Sequence, residues 1–325
     1  MNRILGYTLI LLFLLTVSLA SLLIGPYKGV TLGDLIDYIR GSYEGPHAGV
    51  LRYRSIRTAA AILAGAALAG SGITLQYTLR NPLADPYLLG ISSGAALGVL
   101  LLILKSQSPP VYGLYTIAFI SGLGSFGVVV LLSTLMGLSA TAMIVAGVSV
   151  SYLLGGVSMV VLVRLGDKIP GAAAWLFGTV AYVTPQQLVY TMLASIASLA
   201  GILVISRRIG TLILGEEMSR GIGINVAALR LASAALASLA ASSIVAMAGP
   251  IGFIGLAGPW MARLLIGSWF PYSYPAALIA GAGLAVFSDV TVRLVGGGEI
   301  PLTAASSLYG GVILLYLTLR SGREL

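Results

Sequence analysis

Long apolar runs separated by short polar stretches dominate this chain. They cover about Ile4–Ile24, Thr58–Leu79, Tyr87–Leu104, Tyr112–Met136, Ala142–Val163, Gln187–Ile205, Val226–Ala248, Ile254–Ser268, Pro275–Val295 and Leu302–Leu319. A helix needs roughly 20 residues to cross a hydrocarbon core of about 30 Å, and none of the runs alternates with the period of a barrel strand. The pattern predicts an all-α integral membrane protein with about ten transmembrane helices in a single domain over residues 1–325. Ser18-Leu19-Ala20 resembles a signal-peptide cleavage site, but the first run exceeds the usual apolar core of about 7–15 residues, so it is expected to be retained as a helix. The run at Ile254–Ser268 is too short to cross alone.

Composition sharpens this picture. The chain is 58% hydrophobic and 9% charged, whereas about a quarter of the residues in a soluble protein are charged. The absence of cysteine removes disulfides and thiolate metal sites. The single histidine, His47, beside Pro46, excludes multi-histidine metal sites and is expected to be solvated. No stretch fits the phosphate-binding pattern G-x-x-x-x-G-K-[ST], and no catalytic constellation is present. The chain is therefore expected to be no enzyme and to hold neither cofactor nor metal. Its net charge of +8 points to membrane lipid and acidic partner proteins rather than nucleic acid.

An even number of spans puts both termini on one side. With that side inside, Arg3, Arg80, Arg207, Arg208, Arg220, Arg230, Arg263, Arg320 and Arg323 face inward. Lys28, Arg40, Arg52, Arg54, Arg57, Lys105, Arg164, Lys168 and Arg293 face outward. Nine against nine does not orient the chain by the usual preference of Lys and Arg for the cytoplasm. The outer cluster Arg52-Tyr53-Arg54-Ser55-Ile56-Arg57 runs against that preference, and an acidic partner outside would account for it.

Four stretches are candidates for function. A polar island over about 207–229, with Arg230 at its far edge, holds six of the 28 charged residues and must lie in water, either as a solvated linker or as the grip of a motor protein. Its Gly215 and Gly221-x-Gly223 bound one or two short helices. In Asn81-Pro82-Leu83-Ala84-Asp85-Pro86, two prolines enforce a rigid turn and Asp85 can cap the next helix. That turn is either a plain hairpin or a collar at the mouth of a pore. The segment from Ala248 to Pro259, dense in Gly and Pro, must be covered by other protein or line an aqueous cavity. Asp289 and Arg293, four apart, can pair on one helix face, and Glu299 can cap the last helix. Gly147, Ser151 and Gly155 repeat at a spacing that suits close helix packing.

Taken in order, these stretches resemble the FecCD-type permeases of ferric-siderophore, haem and cobalamin ABC importers. The likeness runs from Arg52-x-Arg54-x-x-Arg57 and Ala64–Gly72 through Arg80–Pro86 and Leu89–Gly98. It continues through Ala146-Gly147-Val148, Trp175–Gly178, Leu214-Gly215-Glu216-Glu217 and Ala248–Leu256 to Glu299-Ile300-Pro301. It implies a type II importer bundle that pairs with a second copy of itself and docks two cytosolic ATP-binding subunits, which hold the ATP and Mg. An extracytoplasmic substrate-binding protein delivers the cargo. The resemblance makes Leu214, Gly215, Glu216, Glu217, Met218, Ser219, Arg220, Gly221, Ile222, Gly223, Ile224 and Asn225 the ATPase-coupling segment. It gives Arg54, Arg57 and Arg293 the docking of the binding protein, and it gives Asn81 and Leu83, with Ala140 and Thr141, the cytoplasmic gate. Trp260 stands where the family usually has histidine.

The implied function is passage of a bulky metal chelate across the plasma or inner membrane, with both termini cytoplasmic. Iron-siderophore, haem, cobalamin and oxyanion cargoes share the scaffold, and iron chelates are favoured by the family's breadth. An ion-coupled secondary transporter would need inverted halves and midplane acids. A non-transporting scaffold would show no solute flux.

Overall fold

The computed structural model describes residues 2–41, 45–106, 109–166, 175–296 and 300–321; Lys168, Glu299 and Arg323 lie outside them. Its helices are α1 (Arg3–Leu23), α2 (Leu32–Ile39), α3 (Ala48–Thr78), α4 (Ile91–Lys105), α5 (Val111–Leu135), α6 (Ala140–Leu165), α7 (Pro185–Thr211), α8 (Glu216–Gly221), α9 (Val226–Ala248), α10 (Ile254–Ile266), α11 (Phe270–Gly296) and α12 (Leu302–Ser321). Among the described residues seven helices are long and apolar enough to cross a membrane, α1, α3, α5, α6, α7, α9 and α11. Among the described residues the shorter apolar helices α4 and α10 and the 20-residue α12 correspond to the remaining three of the ten predicted apolar runs.

Helix α3 is the axis of the bundle. Its apolar window is 78% buried, against 22% for α1, α6 and α7, and its sequence explains why. Small side chains on several faces let neighbouring backbones come close, the device by which membrane helices gain packing without a hydrophobic drive. A Cβ on Gly65 would lie 2.1 Å from the Gly281 carbonyl oxygen of α11, and one on Gly72 would lie 1.9 Å from that of Gly255 in α10. Ser71 donates to the Ala237 carbonyl of α9 at 3.0 Å. Helix α1 belongs to the same bundle: Phe13 packs against the bare face of Gly283, and the Tyr7 hydroxyl donates to the Tyr272 carbonyl at 2.5 Å.

Two spans are broken inside the bundle. The predicted run from Tyr87 divides into a 3₁₀ turn, Pro86–Leu89, and α4, with Gly90 between them at φ +81°. Asp85 caps that turn, accepting from the Tyr87 amide at 2.8 Å. The turn packs against the N-terminal half of α6, where the Leu88 carbonyl would be 2.1 Å from a Cβ on Gly147. Of the small-residue repeat predicted on α6, Gly147 is therefore packed within the chain, while Gly155 faces open space.

The second break, between α9 and α10, is covered by protein. The Ala248 carbonyl accepts from the Thr179 amide at 2.7 Å, Pro250 from the Thr303 hydroxyl at 2.9 Å, and Gly252 from the Ser306 hydroxyl at 2.9 Å. The Ile251 amide donates to the Tyr87 hydroxyl at 2.9 Å. These bonds satisfy backbone groups that lipid could not. They also tie the two breaks to each other.

Candidate functional site

The polar island hangs from one end of the bundle. Helix α7 continues through Arg207 and Arg208 to Thr211, six residues beyond the predicted run. A 3₁₀ turn, Leu212–Leu214, follows, and Gly215 at φ +106° turns the chain into α8. Gly223, at φ +86°, then allows the reversal into α9, whose first turn is capped by Asn225 (Ala228 amide to Oδ1, 3.0 Å). The fully buried Ser219 anchors α8 by donating to the carbonyls of Thr211 at 3.0 Å and Gly215 at 2.8 Å. Anchoring on one side leaves the other free: Ile213, Leu214, Met218 and Ile222 are more than half exposed, and Glu217 and Arg220 are exposed beside them. An apolar knob edged by charge on a water-facing end is a docking surface in physical terms, since isolated apolar side chains of this size gain by burial against a partner.

Both predicted gate stretches adjoin this segment. In the first, Asn81 folds back so that its Oδ1 accepts from the Leu83 amide at 2.9 Å, projecting the exposed Leu83 outward. Arg80 and Pro82 of that turn share a cleft of about 320 Å³ with Leu212, Ile213, Gln76, Tyr77, Arg263 and Ser268. In the second, Ser139 caps α6 (Ala142 amide to Oγ, 3.0 Å), with Ala140 half-buried and Thr141 exposed in its first turn.

Arg263 and Trp260 connect α10 to the same end. The guanidinium lies 4.5 Å above the Trp260 ring and donates to Gln76 Oε1 at 2.6 Å. The Gln76 amide in turn reaches the carbonyls of Ala84 and Gly255, each at 3.3 Å. One side chain thus links α3, α10 and the first gate turn. Sequence reasoning passed over Gln76, although a long amide inside the apolar run Thr74-Leu75-Gln76 was the available signal.

At the opposite end the basic cluster departs from expectation. The residues from Arg52 to Arg57 are helical, because α3 starts ten residues before the predicted run, and Arg54, Arg57 and Arg293 are buried rather than displayed. Arg54 donates to the carbonyls of Leu22, Leu23 and Tyr27 at 2.7–3.0 Å, closing the end of α1. Arg57 and Arg293 share Asp289, at 2.8 Å and 2.9 Å. The predicted Asp289–Arg293 pair is present, with Arg57 as a third member that local spacing could not announce. The three arginines still line an outer cleft of about 370 Å³ with Tyr27, Tyr53 and neighbours. One carboxylate against three guanidiniums leaves that cleft with two net positive charges. Nearby, His47 is half-buried and sits 3.3 Å from Asp34, contrary to the solvated histidine expected.

A model of the FecCD transport family matches residues 10–320. The chain belongs to that family. It is thus a multi-pass membrane protein and a transport permease of the ABC importer class. The iron(3+)-hydroxamate import system permease protein FhuB of Bacillus subtilis is 31% identical over 323 residues, covering 96% of this chain and 84% of that protein. The hemin transport system permease protein HmuU of Yersinia pestis is 34% identical over 281 residues, covering 84% of each. Among solved structures, a chain assigned as a metal-chelate type ABC transporter in an inward-facing conformation superimposes with a TM-score of 0.85 at 26% identity, covering 97% of this chain and 98% of that one.

Proposed function

We propose that this FecCD permease carries a bulky metal chelate inward, with iron chelates favoured, as one of two identical membrane subunits driven by two cytosolic ATP-binding subunits. The carrying observation is the half-anchored segment Leu214–Asn225, rigid on its bundle side through Ser219 and apolar on its free side. In this reading the end bearing that segment faces the cytosol together with both termini. ATP and Mg belong to the partner subunits, and this chain contributes no cofactor. The relatives named for hydroxamate and haem import support the cargo class.

The exposed apolar face of α6, with Tyr152, Leu153, Met159, Val160 and Val163, suits contact with the second copy or with the pathway between them. The gate residues Asn81, Leu83, Ala140 and Thr141 sit where movement of the coupling segment would reach them first. At the outer end a substrate-binding protein docks acidic side chains over the cleft of Arg54, Arg57 and Arg293. The arginines act there through the field of their net charge, and their hydrogen bonds stay inside the bundle.

Co-purification with a cognate ATP-binding subunit, followed by uptake in proteoliposomes containing ferric hydroxamate or haem with their binding proteins, tests this reading. Met218→Asp with Leu214→Asp is expected to abolish ATPase association and uptake while the permease remains folded. Normal association in that variant would exclude the segment as the docking element, and uptake without ATP would move the chain into the ion-coupled class.

A further inference from the structure

Arg230, at the far edge of the polar island, belongs neither to the coupling segment nor to either gate stretch. It lies in the second turn of α9, 2% exposed. One guanidinium nitrogen donates to the Leu138 carbonyl at 2.8 Å, and another is paired with Glu216, the first residue of α8. Glu216 also holds Arg220 at 3.4 Å, one turn along α8. Three elements therefore meet on one planar group, one of them 92 positions away. These are the α5–α6 turn, the coupling segment and α9.

Chemistry makes this junction stiff. A buried guanidinium is costly unless hydrogen bonds and counter-charge are supplied, and with its Nε already unpartnered Arg230 depends on these two contacts, so movement of either partner draws Arg230 with it. Arginine suits such a bridge because its donors point in fixed, separate directions. The Leu138 end is equally constrained. Leu138 is held at φ +52°, a region a leucine rarely enters, with its amide bound to the Ser133 carbonyl at 2.7 Å. The next residue, Ser139, caps α6 and is followed directly by Ala140 and Thr141.

We propose that Arg230 is the positioning residue that carries displacement of α8 into the first turn of α6, so that motion of the ATPase is delivered to Thr141 through Glu216, Arg230 and the Leu138 carbonyl. This rests on the reading of Leu214–Asn225 as the ATPase-docking segment. The first gate turn reaches that segment by another route, the cleft shared with Leu212 and Ile213, and so supplies an internal control.

The absence of cysteine makes the test direct. Thr141→Cys and Asn81→Cys each introduce a single thiol, and maleimide labelling of the reconstituted permease–ATPase complex is followed with and without ATP. Thr141→Cys is expected to show an ATP-dependent labelling rate that disappears when Arg230→Met is added. Asn81→Cys is expected to keep its ATP response in the same background. Uptake per ATP hydrolysed is expected to fall about tenfold in Arg230→Met, equivalent to about 1.4 kcal/mol of coupling. Should Arg230→Met fail to fold, Glu216→Gln carries the same comparison, because it weakens the ion pair and leaves the bond to Leu138 in place.

An undiminished ATP response at Thr141→Cys in either variant would overturn the relay. So would loss of both thiol responses while the ATPase stays bound, since Arg230 would then be a general staple. If neither thiol responds in the unsubstituted background and no ATPase binds, the docking reading itself fails, and the relay falls with it.

Discussion

Asp289 shows how much one side chain can hold. It is 1% exposed and pairs with two guanidiniums, Arg57 from α3 and Arg293 from its own helix. Removing a single partner from a buried ion pair costs more than the pair contributes, because the remaining charge is stranded. Asp289→Asn is therefore expected to destabilise the protein by about 3–5 kcal/mol, measured as a lowered unfolding temperature in detergent. Arg293→Met is expected to be milder, since Arg57 still neutralises Asp289. Only the i, i+4 part of this cluster was legible beforehand. The contact from Arg57 spans 232 positions, and no local spacing rule reaches so far. The same limit hid the bond from Arg230 to Leu138 and the contact of His47 with Asp34.

At the scale of elements, glycine marks where helices touch and where they do not. Gly72→Ala would drive a methyl to within 1.9 Å of the Gly255 carbonyl. A backbone oxygen cannot rotate aside, so α3 and α10 must separate at a cost of at least about 1–3 kcal/mol. Gly155→Ala, with nothing within 4 Å of the added carbon, is expected to leave the unfolding temperature of the purified single chain unchanged. Helix limits were readable wherever a terminator is local, as at Gly215, Gly223 and the short α10 between Phe253 and Gly267. They were misread where tertiary contacts override the pattern. Helix α3 extends outward through Arg54 and Arg57 because their charges are satisfied by neighbours rather than by water. The run from Tyr87 breaks because Gly90 adopts a left-handed conformation whose carbonyl is held by Ser125 at 2.8 Å.

Across the whole molecule, the two ends offer different kinds of surface. The coupling end presents apolar side chains on a short anchored helix. The other end presents a basic cleft whose charges are partly balanced from within. Contacts of the second kind steer encounter through long-range fields and are weakened by salt. Association of the binding protein is therefore expected to slow markedly as ionic strength approaches 1 M, where the screening length shrinks to about 3 Å. Association of the ATPase, proposed to rest on Leu214 and Met218, should change far less. Surface plasmon resonance on the reconstituted permease measures both, and equal salt sensitivity would contradict the assignment of the two ends.

The central position of α3 also sets an order for biosynthesis. It leaves the ribosome after α1, carrying the three guanidiniums of Arg52, Arg54 and Arg57 and a surface of glycine, alanine and serine, long before the last helices that enclose it exist. Domains are generally assembled from the N-terminus as they are made, yet the carboxylate that neutralises Arg57 arrives only with α11. A nascent chain halted before residue 289 lacks the carboxylate that pairs with Arg57, so α3 waits with that guanidinium uncompensated until α11 is made.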